Sequence, residues 1–174
     1  PGEVPVPGAK DDARTTREPS KERGGPMPLV GIISDTHGLL RPEALAELQG
    51  ADHIIHAGDI GGPYIVPGLE NIAPVTAIRC NIDQAAWANS FADQEILDIA
   101  GYKIFILHNR NELDHDPKAG GFDILISGHS HKPNIETIDK ILYLNPGSAG
   151  PRRFTLPISL AFLELTAGSI LPRI

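Results

Sequence analysis

Residues 29–38 read Leu-Val-Gly-Ile-Ile-Ser-Asp-Thr-His-Gly. Leu29 to Ile33 is a short apolar run bounded by turn residues, the pattern of a buried strand. It stops at Ser34-Asp35-Thr36-His37-Gly38, where two side chains of metal-ligand type stand two positions apart on irregular backbone. In open α/β folds, sites form beyond the carboxyl ends of strands. This stretch therefore predicts both the fold class, α/β, and the place of its chemistry.

Working outward, the same pattern recurs without any internal sequence repeat. A helix follows from Pro42, with Leu45 and Leu48 on one face and Gly50 as its stop. His53 to Ala57 reads as a second strand closed by Gly58-Asp59. Tyr64 to Ile72 reads as a short helix weakened by Pro67, and Val75 to Ile78 as a third strand ending in Arg79-Cys80-Asn81-Ile82-Asp83. Gln94 to Ile99 and Tyr102 to Leu107 flank Gly101 as a hairpin, and the second of them ends at His108. The polar stretch from Asn109 to Gly121 is long for a plain connection and is the one candidate lid. Asp123 to Ser127 is a strand ending in Gly128-His129-Ser130-His131. Ile135–Thr137 and Ile141–Leu144 form a further hairpin before the Asn145-Pro146-Gly147-Ser148 turn. Ile158–Leu165 and Ser169–Ile174 close the chain.

With 174 residues, 27–174 is expected to form one compact domain able to bury its own core. Residues 1–26 hold five Pro and four Gly, no Leu, Ile or Phe, and balanced charge, so they are expected to be a flexible tail or an appended segment. The single cysteine, Cys80, excludes an internal disulfide and a Cys-rich zinc module. A formal charge of −7 argues against an extended nucleic-acid surface. No apolar run approaches a membrane span, and no secretory signal peptide is evident, so the expected setting is cytoplasmic, with no membrane partner.

Five strands end in ligand-type residues: Asp35 and His37, then Asp59, then Asn81, then His108, then His129 and His131. Seven oxygen and nitrogen donors, expected to converge at one edge of the sheet, exceed the needs of one tetrahedral ion and suit two ions that share a bridge. Asp59, on a tight Gly-Asp corner, is the candidate bridging carboxylate. Mixed imidazole and carboxylate ligation suits two divalent transition-metal ions, Mn foremost, with Fe, Zn, Ni or Co as alternatives. Such a pair would hold a bridging hydroxide as nucleophile against a phosphoryl group.

In order and spacing, Asp35-Thr36-His37, Gly58-Asp59, Cys80-Asn81-Ile82-Asp83, His108 and Gly128-His129-Ser130-His131 resemble the D-x-H, G-D, G-N-x-[DE], H and G-H-x-H blocks of the calcineurin-like metallophosphoesterase superfamily. The likeness runs over about residues 28–174 and is closest to the small bacterial and archaeal phosphodiesterase branch. It implies a four-layer α/β/β/α sandwich of two mixed sheets. It also implies one metal held by Asp35, His37, Asp59 and His131, and a second by Asp59, Asn81, His108 and His129. The implied activity is hydrolysis of phosphodiesters, or of phosphomonoesters, in a small phosphoester substrate. Asn81 and Asp83 are the candidate catalytic residues. Asp83 would orient a ligand or water, with a turn-stabilising role as its alternative.

Three departures from the family's pattern stand out. Cys80 replaces a Gly and reads as a small buried residue without a paired base. Ile82 stands where relatives that use a general acid carry His, so activated leaving groups are expected to be preferred. Asn109-Arg110 replaces Gly-His, and Arg110 is either a phosphate contact or a solvated loop residue. His56 is either a hydrogen-bonded support behind the metals or a core residue. His53 and His115 read as surface or packing residues, and Arg152 and Arg153 as a brace behind the site. Two alternatives to a dinuclear phosphoesterase stand beside it. One is a non-catalytic interaction module of the same fold, disfavoured because all seven ligand types are present. The other is a nucleotide-specific pyrophosphohydrolase. Edge strands near the C-terminus permit a homodimer.

Overall fold

The computed structural model describes residues 27–174, and the expected tail at 1–26 lies outside them. The described elements are β1 (Leu29–Ile33), α1 (Pro42–Glu47), β2 (His53–His56), α2 (Ile65–Glu70), β3 (Val75–Ala77), β4 (Gln94–Ile99), β5 (Tyr102–Leu107), β6 (Ile124–Ile126), β7 (Asn134–Ile138), β8 (Ile141–Asn145), β9 (Ala161–Thr166) and β10 (Ser169–Arg173). Short 3₁₀ turns occupy Ala86–Ser90 and Arg110–Glu112.

The strands form two five-stranded mixed sheets, ordered β10-β9-β1-β2-β3 and β4-β5-β6-β8-β7. In the first, β1, β2 and β3 run parallel, with β9 antiparallel to β1. In the second, β5, β6 and β8 run parallel between the antiparallel edges β4 and β7. Successive side chains of a strand face opposite ways, and this sorts the apolar residues into layers. Val30, Ile32 and Ile55 of the first sheet meet Ile104, Ile106 and Ile126 of the second in the central core. Each fully buried aliphatic side chain of this kind contributes about 2 kcal/mol. The alternate residues Ile33 and Ile54 face outward onto Leu48 beside α1 and Ile65 and Leu69 of α2. β1 is thus covered on both faces, which explains its unbroken apolar sequence.

α1 begins where the sequence places it, with Pro42 following an extended Arg41 and Gly50 turning the chain at φ +85°. The hairpin of β4 and β5 keeps its expected bounds. Two expectations are corrected. The segment at 158–160 is not continuous strand: Ile158 makes only an isolated bridge to Ser148, and β9 starts at Ala161. The 109–121 stretch does not fold as a free flap over the strand ends: Asn109 and Glu112 line one side of a cleft with His108 and His129, and the remainder runs away from it. Its Leu113 packs with Phe105, Phe122, Leu125 and Tyr143 and covers the outer face of the second sheet. Among the described residues, no helix is long and apolar enough to cross a membrane.

Candidate metal centre

β1, β2 and β3 run parallel and end together, as do β5 and β6 of the other sheet. The two sets of ends abut. His108, after β5, makes a 2.7 Å hydrogen bond to the Ala57 carbonyl after β2, and the His129 amide after β6 donates to Asp35 Oδ2 after β1 at 3.1 Å. The ligand-type residues therefore meet at a seam between two sheets rather than at one edge of a single sheet. A chain that must turn several side chains inward over a few residues leaves ordinary backbone geometry. Asp35, His37, Asp59, His129 and His131 all adopt left-handed conformations, with φ between 46° and 66°. Strain of this kind collects at functional sites. Gly58 is required here: at φ +93°, a Cβ would stand 2.6 Å from His108 Nδ1. At Gly128, a Cβ would stand 2.0 Å from Ser34 Oγ.

Each ligand is held from behind. Ser34 Oγ donates to Asp35 Oδ2 at 2.7 Å, which together with the His129 amide fixes that oxygen. Asp35 Oδ1, fully buried, has no hydrogen-bond partner. It faces His131 Nε2 at 3.1 Å, without hydrogen-bond geometry. His131 Nε2 lies 3.3 Å from His37 Nε2, which lies 3.4 Å from Asp59 Oδ2. Thr36 Oγ1, between the two ligands of its loop, donates to the Ile60 carbonyl and so accepts from His56 Nε2, each at 2.9 Å. His56 thus supports the Asp35–His37 loop through Thr36, the first of its two expected roles.

Electrostatics point the same way. Burial pushes Asp35 up to about 6 despite the bond from Ser34. Burial likewise lowers His37, and lowers His131 to about 4 with help from the Arg153 charge. Burial would raise Asp59, but the bond from Cys80 and the close imidazoles of His108 and His37 hold it well below the usual carboxylate range. Burial would lower His108, yet Asp59 and the Ala57 carbonyl hold it above its ordinary value. With its Nδ1–H given to Ala57, His108 presents Nε2 inward, buried and without a hydrogen-bond partner, 3.4 Å from Asp59 Oδ1. Asp35 Oδ1 and His108 Nε2, buried acceptors without hydrogen-bond partners, are the kind of atoms a cation satisfies. The residues fit a metal.

Among the described residues, two groups of donor atoms are close enough to hold an ion: Asp35, His37, Asp59 and His131, and then Asp59, Cys80 and His108. The first is the expected set. Asp59 belongs to both, with one oxygen toward each. The second departs from expectation, because Cys80 Sγ lies against Asp59 Oδ1. Burial and that carboxylate push the thiol up to about 12. His129 stands edge-on to His108 with ring centres 5.4 Å apart and joins neither group. Asn81 is exposed on the same cleft of about 590 Å³ as Cys80, His108 and His129.

The remaining residues are placed as follows. Asp83 is 1% exposed, and both its oxygens accept backbone amides, from Ile60 at 3.1 Å, Gly61 at 2.8 Å and Cys80 at 3.2 Å. It ties the Asp59 corner to the Cys80–Asn81 loop, the geometry of the turn-stabilising alternative. Arg110 pairs with Glu136 and stacks on Tyr143, with its guanidinium carbon 4.1 Å from the ring centre. Arg153 is not a brace behind the site: its Nη2 reaches His37 Nε2 at 3.3 Å, at the mouth. No motif marks it, since it acts across 116 positions of sequence. His53 bonds Thr76 within the first sheet and His115 is exposed, as expected of packing and surface residues.

The family model of the calcineurin-like phosphoesterase superfamily domain matches residues 29–168. A probable metallophosphoesterase of Methanocaldococcus jannaschii is 39% identical over 138 residues, which cover 72% of this chain and 69% of that protein. Among solved structures, one described as a novel archaeal phosphodiesterase aligns with a TM-score of 0.68 at 24% identity, over 83% of this chain and 98% of that one. Vps29 of Chaetomium thermophilum aligns with a TM-score of 0.68 at 17% identity, over 79% and 82% respectively. The matched span includes all five strand ends that carry ligand-type residues, and the chain belongs to the calcineurin-like phosphoesterase superfamily, a family of metal-dependent hydrolases.

Proposed function

We propose that this chain is a dinuclear metal-dependent phosphoesterase that acts on small phosphodiesters with good leaving groups. The observation that carries the reading is the Asp59 carboxylate, whose Oδ2 faces His37 and whose Oδ1 faces His108. Asp35, His37 and His131 would complete one site, and His108 would serve the other. Two bound ions would supply an activated water and neutralise charge on the phosphoryl oxygens. The protein's own part is positional. Ser34, Thr36, His56 and Asp83 hold the donors in place, and the strained loops keep them turned inward. Ile82, 49% exposed beside the cleft, offers no proton to a departing alkoxide, so aryl esters should outrun alkyl esters. The test is an assay of chelated protein against bis-nitrophenyl phosphate, with Mn, Fe, Zn, Ni and Co added singly. Activity should return with two ions per chain, and Asp59→Asn should lower it at least 100-fold with loss of one ion by elemental analysis. If no ion binds and no ester is cleaved, the non-catalytic interaction module becomes the better reading.

A further inference from the structure

The loop after β3 closes on itself between positions 80 and 83. The Asp83 amide donates to the Cys80 carbonyl at 3.0 Å, and the Cys80 amide donates back to Asp83 Oδ2 at 3.2 Å. This double tie turns the side chain of position 80 toward the strand ends, while Asn81 and Ile82 are left exposed. Cys80 Sγ consequently meets Asp59 Oδ1. An independent feature aims at the same point. His108 is 8% exposed, its Nδ1–H is committed to Ala57, and its Nε2 lone pair is buried, unpartnered and directed at Asp59 Oδ1 from 3.4 Å. A sulfur, a carboxylate oxygen and an imidazole nitrogen, all within 4.8 Å of one another, form a partial coordination shell open toward the cleft.

We infer that Cys80 Sγ is a ligand of the second metal site, making it a Cys–His–Asp site that selects zinc or another thiophilic ion over manganese. The inference rests on the proposed two-ion reading and refines its second half. Thiolate is the softest donor a protein offers, and together with imidazole it favours Zn over the hard, oxygen-seeking Mn. On loading, the thiol releases its proton to solvent and Sγ bonds the ion, with no change of oxidation state. The competing role, a thiol that merely donates a hydrogen bond to Asp59, makes no bond to a metal and gives no metal signature.

Cobalt distinguishes the two. Chelated protein is titrated with Co²⁺ while its electronic spectrum and bound metal are recorded. A thiolate-to-cobalt charge-transfer band should appear in the near ultraviolet with one equivalent per chain. It should vanish in Cys80→Ala and in Cys80→Gly, while the visible bands of the first site persist and show that both variants fold. In competition, the preference of the second site for Zn over Mn should fall at least tenfold in Cys80→Ala. A wild-type spectrum without the charge-transfer band, or an unchanged band in both variants, overturns the inference. The band with only one bound ion keeps Cys80 as a ligand and rejects the two-ion reading instead.

Discussion

Arg153 shows how much a single residue can hide from its own sequence. Asp35, His37, Asp59, His108 and His131 were legible because each is a ligand type placed just past an apolar strand. Arg153 sits in a loop with no such marker, and only the folded chain brings its guanidinium to His37. Cys80 escaped for a related reason, since the direction of its side chain is set by hydrogen bonds to Asp83 rather than by its neighbours in sequence. A guanidinium at the mouth of a phosphate site matches phosphoryl oxygens in shape and charge. Arg153→Ala should therefore raise KM for bis-nitrophenyl phosphate about tenfold and change kcat little, as expected for loss of uniform binding. Arg110→Ala, which removes a pair with Glu136 instead, should leave both constants near wild type.

Strands were easier to read than the segments between them. β1 and the β4–β5 hairpin follow from apolar runs bounded by turn residues, whereas the Ala86–Ser90 turn has no periodicity to announce it. β9 starts late because Pro157 and the bridge between Ile158 and Ser148 belong to a loop that wraps the strand end. The last residue of β2 carries a pH consequence. Burial lowers His56 to about 3, so the folded chain keeps it neutral while the unfolded chain protonates it below about 6.5. Its contribution to stability is complete above pH 6.5 and is lost as pH falls toward 3, by about 1.4 kcal/mol per pH unit at the steepest. His56→Gln keeps a partner for Thr36 but does not titrate. Denaturant unfolding from pH 7 to pH 4 should show wild type losing more stability than this variant.

At the scale of the molecule, the donors belong to both sheets, with Asp35, His37 and Asp59 from one and His108 and His131 from the other. An ion bound among them would tie the sheets together and so stabilise the fold. At a hundredfold excess over its Kd, an ion that binds only the folded state adds about 2.7 kcal/mol, or roughly 5–10 °C in Tm for a chain of this size. Thermal melts with and without Zn or Mn should show that rise, and a chelator should reverse it. The formal charge of −7 fits the same picture, since part of the acidity lies in the candidate cation site.

The five left-handed residues of ligand type give the site a direction in evolutionary time. Each strained position costs about 1 kcal/mol, so together they weigh against a net stability on the order of 10 kcal/mol. A descendant no longer selected for hydrolysis would gain stability by drifting to Gly or Asn at 35, 37, 59, 129 and 131. Return would require reinstating the strain and the ligands together, at positions spread over nearly a hundred residues of chain. Loss of catalysis on this scaffold is then a ratchet: a binding partner that recruits such a descendant for its shape inherits a sturdier protein, with little prospect of reversal.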